Sequence, residues 1–428
     1  MVDVRAFRAV RYTESAGDPV CLITQPYDKI DDRMQREYYE KSPYNYCRLI
    51  LPMEDDKYVV ALQRIWDWLR EGILVKEEEP AFFVCRQEFT LDGQTCVRTG
   101  MIAALRLYDY SENVVFPHEI TYNAPKADRL NMLRTVQKDL EPVFLMYSDP
   151  EKVTIGLFAE VSKTKPIIVV EDSFGVKHTV WRVADKGKIR LLREALEPKT
   201  VVITDGHHRY ESAVAYRDKK RMESGWTMDS ALNFHMSILV PIEDEGLVVL
   251  PTHRLLRKCE LTDERLNALK QVFAVTEISP TVKGLDNFLE THKDEHAFAV
   301  YAKGKAYGLV LKHKESVYEF VRAKSSKETK VFDVVILRDV IFKAILKTGE
   351  LRIDEDILYE RWTKTAVEKV DSGEAKVAFL LNPISAETVW QIAHQHERMP
   401  EKTTDYYPKP VSGLMMMDIS NEEKLEQV

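Results

Sequence analysis

The stretch Val201-Val-Ile203 followed by Thr204-Asp205-Gly206-His207-His208-Arg209-Tyr210 constrains this fold more than any other, because it commits the middle of the chain to one local shape. The apolar triplet reads as a buried strand. The run Glu211-Ser-Ala-Val-Ala-Tyr-Arg217 then continues as a helix with Tyr210, Ala213, Val214 and Arg217 on one face. The junction is a strand-to-helix turn. At such a turn the first helical N–H groups lack intrahelical acceptors and the helix dipole is positive, which suits an anion such as phosphate. Gly206 permits close approach, and Arg209 carries a planar fork matched to phosphate oxygens. Asp205, His207 and His208 add groups that titrate or bind metal near neutral pH. A lone Asp-Gly-His reads more simply as a helix cap with surface histidines. Four consecutive functional side chains at one turn favour a site.

At 428 residues the chain exceeds one ordinary core, and two or three domains are expected. The pattern restarts near Glu260, which predicts an N-terminal domain over 1–258 and a C-terminal α/β domain over 259–428. Hydrophobic residues at 45% and charged residues at 30% describe a soluble globular chain, with no apolar run near the roughly 20 residues of a membrane span. The opening Met-Val-Asp-Val-Arg-Ala-Phe has no apolar signal core, so a cytoplasmic location is expected. A formal charge of −8 disfavours nucleic acid as a partner, because neutralising phosphates needs a basic face. Cys21, Cys47, Cys85, Cys96 and Cys259 stand singly without zinc spacing and are expected as reduced thiols.

Upstream of the turn, Pro26 fixes a bend that presents Tyr27 and Asp28. Tyr58, Ala61, Leu62, Ile65, Trp68 and Leu69 predict an amphipathic helix from Asp56 that ends at Gly72. Strand-like runs at 81–86, 94–98 and 100–107, with Asp92-Gly93 between the first two, predict a hairpin or meander. His118 and Glu119 precede a helical run that carries Lys126, Asp128 and Arg129. Those last three read equally as a solvated helix start or as ligand anchors; His118-Glu119, standing before the helix, reads as functional. Pro142–Tyr147 predicts a buried strand. His253 beside Arg254 reads as a satisfied structural histidine unless it faces the first site. Later patterns predict an apolar helix over Val331–Leu346, a helix over Tyr359–Val370 and a strand over Lys376–Leu381. Helices and strands mingle without strict alternation, so an α+β or mixed α/β architecture is expected. The segment Arg398–Leu414 is too rich in Pro to be a regular helix. It is either a docked tail or a lid, spanning 396–414, whose Lys402, Thr403, Thr404 and Lys409 reach a phosphorylated ligand.

These stretches, in order, resemble a bacterial and archaeal family catalogued as domain of unknown function 1015. The matching segments are Pro26–Asp28, Asn45–Pro52, His118–Thr121, Asp128-Arg129, Pro142–Phe144, Asp205–Glu211, Leu250–Arg254, Phe379–Pro383 and Met399–Lys409. The family's usual Ser-Pro-Pro-Tyr-Asp is Thr24-Gln-Pro-Tyr-Asp28 here, its Lys-Ser-Thr is Lys402-Thr-Thr404, and its Thr-Gly is Leu140-Glu141. Asp-Gly-His-His-Arg is also similar to the phosphate-binding turn of the ParB/sulfiredoxin superfamily, whose free-serine kinases use an Asp-Gly-His-Thr-Arg turn. That resemblance implies a ParB/sulfiredoxin-like nucleotide-binding core with added strands and helices.

It further implies phosphoryl transfer on serine, phosphoserine or a similar small hydroxy amino acid, placing the chain in serine metabolism. ADP or ATP would sit on the Gly206-His207-His208 main chain and Arg209, with Lys126, Arg129, Asp28 and His253 as further anchors. Asp205 or Glu211 would orient Mg2+, and Glu119, partnered by His118, would be the base. On this reading Arg209→Ala abolishes nucleotide binding and leaves stability unchanged. The alternatives are a phosphoserine-type phosphatase using His207 or His208, and a nucleotide-regulated binding protein. A sulfiredoxin-like redox role needs a cysteine where His207 stands.

Overall fold

The computed structural model describes residues 1–121, 123–318, 320–321, 332–400 and 402–426, and the chain divides into two compact units with mixed α/β architecture. The first unit comprises Met1–Pro117, Thr121–Val248 and Pro408–Val428; the second comprises His118–Ile120 and Val249–Tyr407. The break expected after residue 258 lies at 248 instead. Two further segments depart from the expected halves: 118–120 belong to the second unit and the C-terminal residues from 408 to the first.

The first unit is built on a sheet that has nine strands among the described residues. In order across it run Val115–Phe116, Val201–Asp205, Val143–Tyr147, Phe234–Pro241, Gln94–Arg106, Phe82–Leu91, Lys177–Val183 and Ile168–Glu171, with Val4–Arg5 also pairing on Gln94–Arg106. Every residue of Val143–Tyr147 and Phe234–Pro241 is buried, and the two pair in parallel. Such unbroken apolar runs are what a strand covered on both faces requires. The three short runs expected between 81 and 107 are two long strands, because Thr99 continues the ladder opposite Arg86. Asp92 and Gly93 both take positive φ, 50° and 78°, which gives the hairpin a turn whose twist matches its strands.

A second layer of this unit joins helices to a small sheet ordered Leu74–Lys76, Ala9–Tyr12, Met416–Asp418 and Lys138–Asp139. The helix Lys57–Arg70 buries Ala61, Ile65 and Trp68, the stripe its sequence predicts. Gly72, at φ 72°, ends it; the N–H of Ile73 returns to the Trp68 carbonyl at 2.8 Å. The apolar stripe meets Tyr46, Ile50, Met132 and Met416. Each such side chain contributes about 1.5–3 kcal/mol on burial.

The second unit carries an antiparallel sheet, six-stranded among the described residues, ordered Phe273–Ile278, Lys305–Leu311, Ala297–Ala302, Val377–Leu381, His253–Leu256 and Ile357–Glu360. Strand alternation separates two cores: Phe298, Val377 and Phe379 pack with Ile336, Leu337 and Ile341, while Ala299, Ala378 and Leu380 pack with Leu285, Ala366 and Val370. The helix expected from Tyr359 begins only at Thr363, because Tyr359 and Glu360 pair with Arg254 and His253 as strand. The expected apolar helix from Val331 starts outside the described residues; from Asp333 it runs as a short α-turn, then as a wider π-type helix over Ile336–Ile345. No helix among the described residues is long and apolar enough to cross a membrane. The five cysteines are unpaired, and burial pushes the Cys47 and Cys85 thiols up to about 12.

Candidate functional site

The strand Val201–Asp205 shifts register against Val143–Tyr147 between Ile203 and Asp205, a β-bulge, and Thr204 donates its hydroxyl to the Phe144 carbonyl at 2.9 Å. Bulges re-aim the side chains beside them. Here Asp205 is delivered to the mouth of the helix His207–Arg221, with Gly206 as its cap at φ 91° and ψ 27°. A Cβ on Gly206 would lie 3.0 Å from Cζ and Nε of Arg209. The guanidinium therefore rests against the bare α-carbon, and glycine meets both the backbone and the space requirement.

Both oxygens of Asp205 are taken by cations. Arg209 Nη2 donates to Oδ2 at 2.6 Å and Lys409 Nζ to Oδ1 at 2.5 Å. Burial alone would raise this carboxyl, yet Lys409 and Arg209 outweigh it and hold the group well below the usual carboxylate range. Arg209 is itself buried, and its Nη1 donates to the Pro142 carbonyl. The expectation that Arg209→Ala leaves stability unchanged is corrected by these contacts. Removing it breaks a buried ion pair, which typically costs about 3–5 kcal/mol, so Arg209→Ala would destabilise the fold.

The Pro-Tyr-Asp turn joins this cluster through Glu141. Glu141 Oε1 accepts the Tyr27 N–H at 3.0 Å and the Ser412 hydroxyl at 2.9 Å, and Oε2 lies 3.7 Å from Arg129 Nη1. Arg129 stacks 4.0 Å from the Tyr27 ring centroid and donates from Nε to Asp128 at 2.9 Å. Burial opposes ionisation of Asp128, but Arg129 together with Lys57 brings its carboxyl down to about 2. Asp28 is exposed beside them and its charge acts on Arg209. Asp28, Arg129, Asp205, Gly206 and Arg209 are thus gathered in one unit, with Lys409 and Glu141 added.

At the first turn of the same helix His207 is buried and His208 half-buried. Glu211 accepts Thr121 Oγ1 at 2.7 Å and the Tyr110 hydroxyl at 3.3 Å, and pairs with Lys126 Nζ at 3.1 Å. The oxygens of Asp205 and Glu211 already carry cations and donors, and among the described residues no group of three or more His, Cys, Asp or Glu is placed to hold a metal ion.

The remaining predicted residues lie in the second unit. His118 is fully buried, its Nε2 2.9 Å from Thr404 Oγ1 and its ring edge-on to Tyr406. Glu119 is half-buried, bridges in parallel to Met399 and accepts the Lys402 N–H at 2.9 Å. His253 is a buried member of a strand; burial, with Arg254 adding to it, presses its imidazole down to about 3. Of the segment 396–414, Glu401 lies outside the described residues. Thr403 and Asp405 in the second unit, and Lys409 and Ser412 in the first, are buried.

Sequence reasoning passed over four groups. Glu141 was noted only as a departure from the usual glycine. Arg98 is fully buried with its guanidinium 4.6 Å from the Phe144 ring, and burial lowers it to about 10. Its neighbours Gln94, Thr95 and Thr99 are polar, so nothing local marked it as buried. Asp139 and His235, both buried, had no local signal at all.

No curated protein matches the sequence. Among solved structures, a free serine kinase in complex with AMP is 14% identical over 76% of this chain and 93% of that one, with a TM-score of 0.37. A variant free serine kinase in complex with ADP is 12% identical over 76% and 94%, with a TM-score of 0.39. SbnI with C-terminal truncation from Staphylococcus aureus is 9% identical over 74% and 87%, with a TM-score of 0.35. A family model matches residues 4–335, a span that holds the Pro-Tyr-Asp, His-Glu and Asp-Gly-His-His-Arg stretches, and the chain belongs to that family, described as Protein of unknown function (DUF1015).

Proposed function

We propose that the protein is a nucleotide-dependent phosphotransferase acting on a small hydroxy amino acid such as serine or phosphoserine. The observation that carries this reading is the pair of cations, Arg209 and Lys409, clamped on Asp205 where Gly206 opens the helix His207–Arg221. Positive charge from two side chains and from the helix dipole converges on that one turn. In phosphoryl transfer the transition state spreads negative charge over the phosphoryl oxygens, so catalysis rests on positioning and fixed cations. Asp205 acts as the positioning carboxylate. The terminal phosphoryl group of ADP or ATP leaves its bridging oxygen and bonds to the substrate hydroxyl, whose proton goes to a carboxylate base. The reverse transfer uses the same groups. The likeness of the turn to that of the ParB/sulfiredoxin superfamily accords with this reading, as does the acidic chain, which suits a small ligand better than nucleic acid.

The test uses the full chain with ADP, ATP, serine and phosphoserine, first in thermal melts and then in an assay for phosphoserine formed or consumed. A rise in melting temperature with a nucleotide and nucleotide-dependent turnover are expected. Phosphate release from phosphoserine without any nucleotide would replace this reading with the phosphatase. Nucleotide binding without turnover would replace it with a regulated binding protein.

A further inference from the structure

We propose that Asp139 and His235 share one buried proton behind Arg209, and that loss of this proton at mildly alkaline pH weakens the first unit and disturbs Arg209. Both side chains are almost wholly inaccessible, at 1% and 3% exposure. His235 Nδ1 lies 2.7 Å from the Met236 carbonyl and donates to it, which leaves Nε2 as an acceptor. Asp139 Oδ2 accepts the Met236 N–H at 2.8 Å, while Oδ1 has no hydrogen-bond partner and lies 3.6 Å from His235 Nε2. Two buried acceptors facing each other are poorly tolerated without a hydrogen between them, and a proton on Asp139 Oδ1 supplies one. Burial agrees in direction, raising Asp139 to about 8 and lowering His235 to about 3, so the pair together holds one proton at neutral pH.

A cavity of about 30 Å³, room for one water, is lined by both members of the pair and by Arg209, Glu141, Arg129 and Lys138. The other ionisable neighbours are Tyr216, whose buried hydroxyl has no partner, Tyr46, and Asp418 on the strand paired with Asp139. Arg129 is engaged by Asp128 and Lys138 by Asp418 at 3.0 Å. Arg209 is held by Asp205 at 2.6 Å, and of these cations it is the one whose charge already acts on His235, so a new carboxylate beside His235 is felt there.

The sign follows from counting protons. Between about pH 4 and 6.5 the folded pair and the unfolded residues each bind one proton, and stability is flat. From about pH 6.5 to 8 the folded pair keeps its proton and the unfolded residues have none, so the folding equilibrium constant falls about tenfold per pH unit. Above that it is flat again.

Urea unfolding of the full chain at pH 6 to 9, paired with NMR of the Arg209 side-chain Nε–H, tests this without any nucleotide. The wild type is expected to lose stability in that window while the Arg209 resonance titrates with it. Asp139→Asn, whose amide donates to His235 Nε2 in place of the proton, is expected to be flat in both. A wild-type profile without the decline, an Arg209 resonance that stays fixed, or an Asp139→Asn profile that still declines would overturn the proposal. The wild-type measurements decide it even if the variant does not fold.

Discussion

Glu141 is the residue on which the most separate parts of the chain converge. One buried carboxylate takes the backbone of the Pro-Tyr-Asp turn, the hydroxyl of Ser412 and the charge of Arg129, and it is the strongest of the charges that favour the ionised form of Arg209. Hydrogen bonds to a charged group are worth about 1.5–3 kcal/mol, more than neutral ones. Glu141→Gln keeps an acceptor for Tyr27 and removes the charge, so it is expected to lower stability by about 1–3 kcal/mol in urea unfolding. A change within a few tenths of a kcal/mol would mean that Arg129 and Arg209 draw nothing from it. A glutamate one residue before a buried strand reads as a surface residue at a strand end. Only the fold places Tyr27, Arg129 and Ser412 around it.

At the scale of elements, the turn at 203–209 was legible because every part of it is local. An apolar run, an Asp-Gly pair and a helical period lie within a dozen residues and need no distant partner to be read. The bulge at its strand end was not legible, since a bulge is a property of pairing with Val143–Tyr147 rather than of either strand. The same holds for Tyr359 and Glu360, whose helical pattern yields to pairing with His253–Leu256. Gly206→Ala tests the turn as an element. Its positive φ costs a side-chain-bearing residue about 1–2 kcal/mol, and the new methyl group presses on the guanidinium of Arg209. A loss of about 1–3 kcal/mol is expected, with the Asp205–Arg209 contact displaced and nucleotide affinity reduced at least tenfold. Full affinity at reduced stability would separate the cap from the site.

At the scale of the whole molecule, the first unit is discontinuous, and no sequence signal announced it. The residues from Pro408 onward return to a unit whose other parts end at Val248, and composition cannot reveal such a return. The segment that holds Lys409 reads from sequence either as a docked tail or as a lid whose lysine reaches a phosphorylated ligand. Lys409 is a partner of Asp205. The strand Met416–Asp418 lies inside its small sheet, between Ala9–Tyr12 and Lys138–Asp139. Seven apolar side chains of this segment, Val411, Leu414, Met415, Met416, Met417, Ile419 and Leu425, are buried among the described residues. At about 1.5–3 kcal/mol each their burial matches or exceeds the roughly 5–15 kcal/mol by which a domain is stable. A chain ending at Tyr407 is therefore expected to lose the cooperative unfolding transition of the first unit and to be cut rapidly by protease within residues 1–248. A lid would behave otherwise: its removal would leave melting and protease resistance intact and abolish only turnover. Circular dichroism melts and limited proteolysis of the shortened and full chains separate the two outcomes, because the lost strand is a structural member of the unit and the lost lid is not.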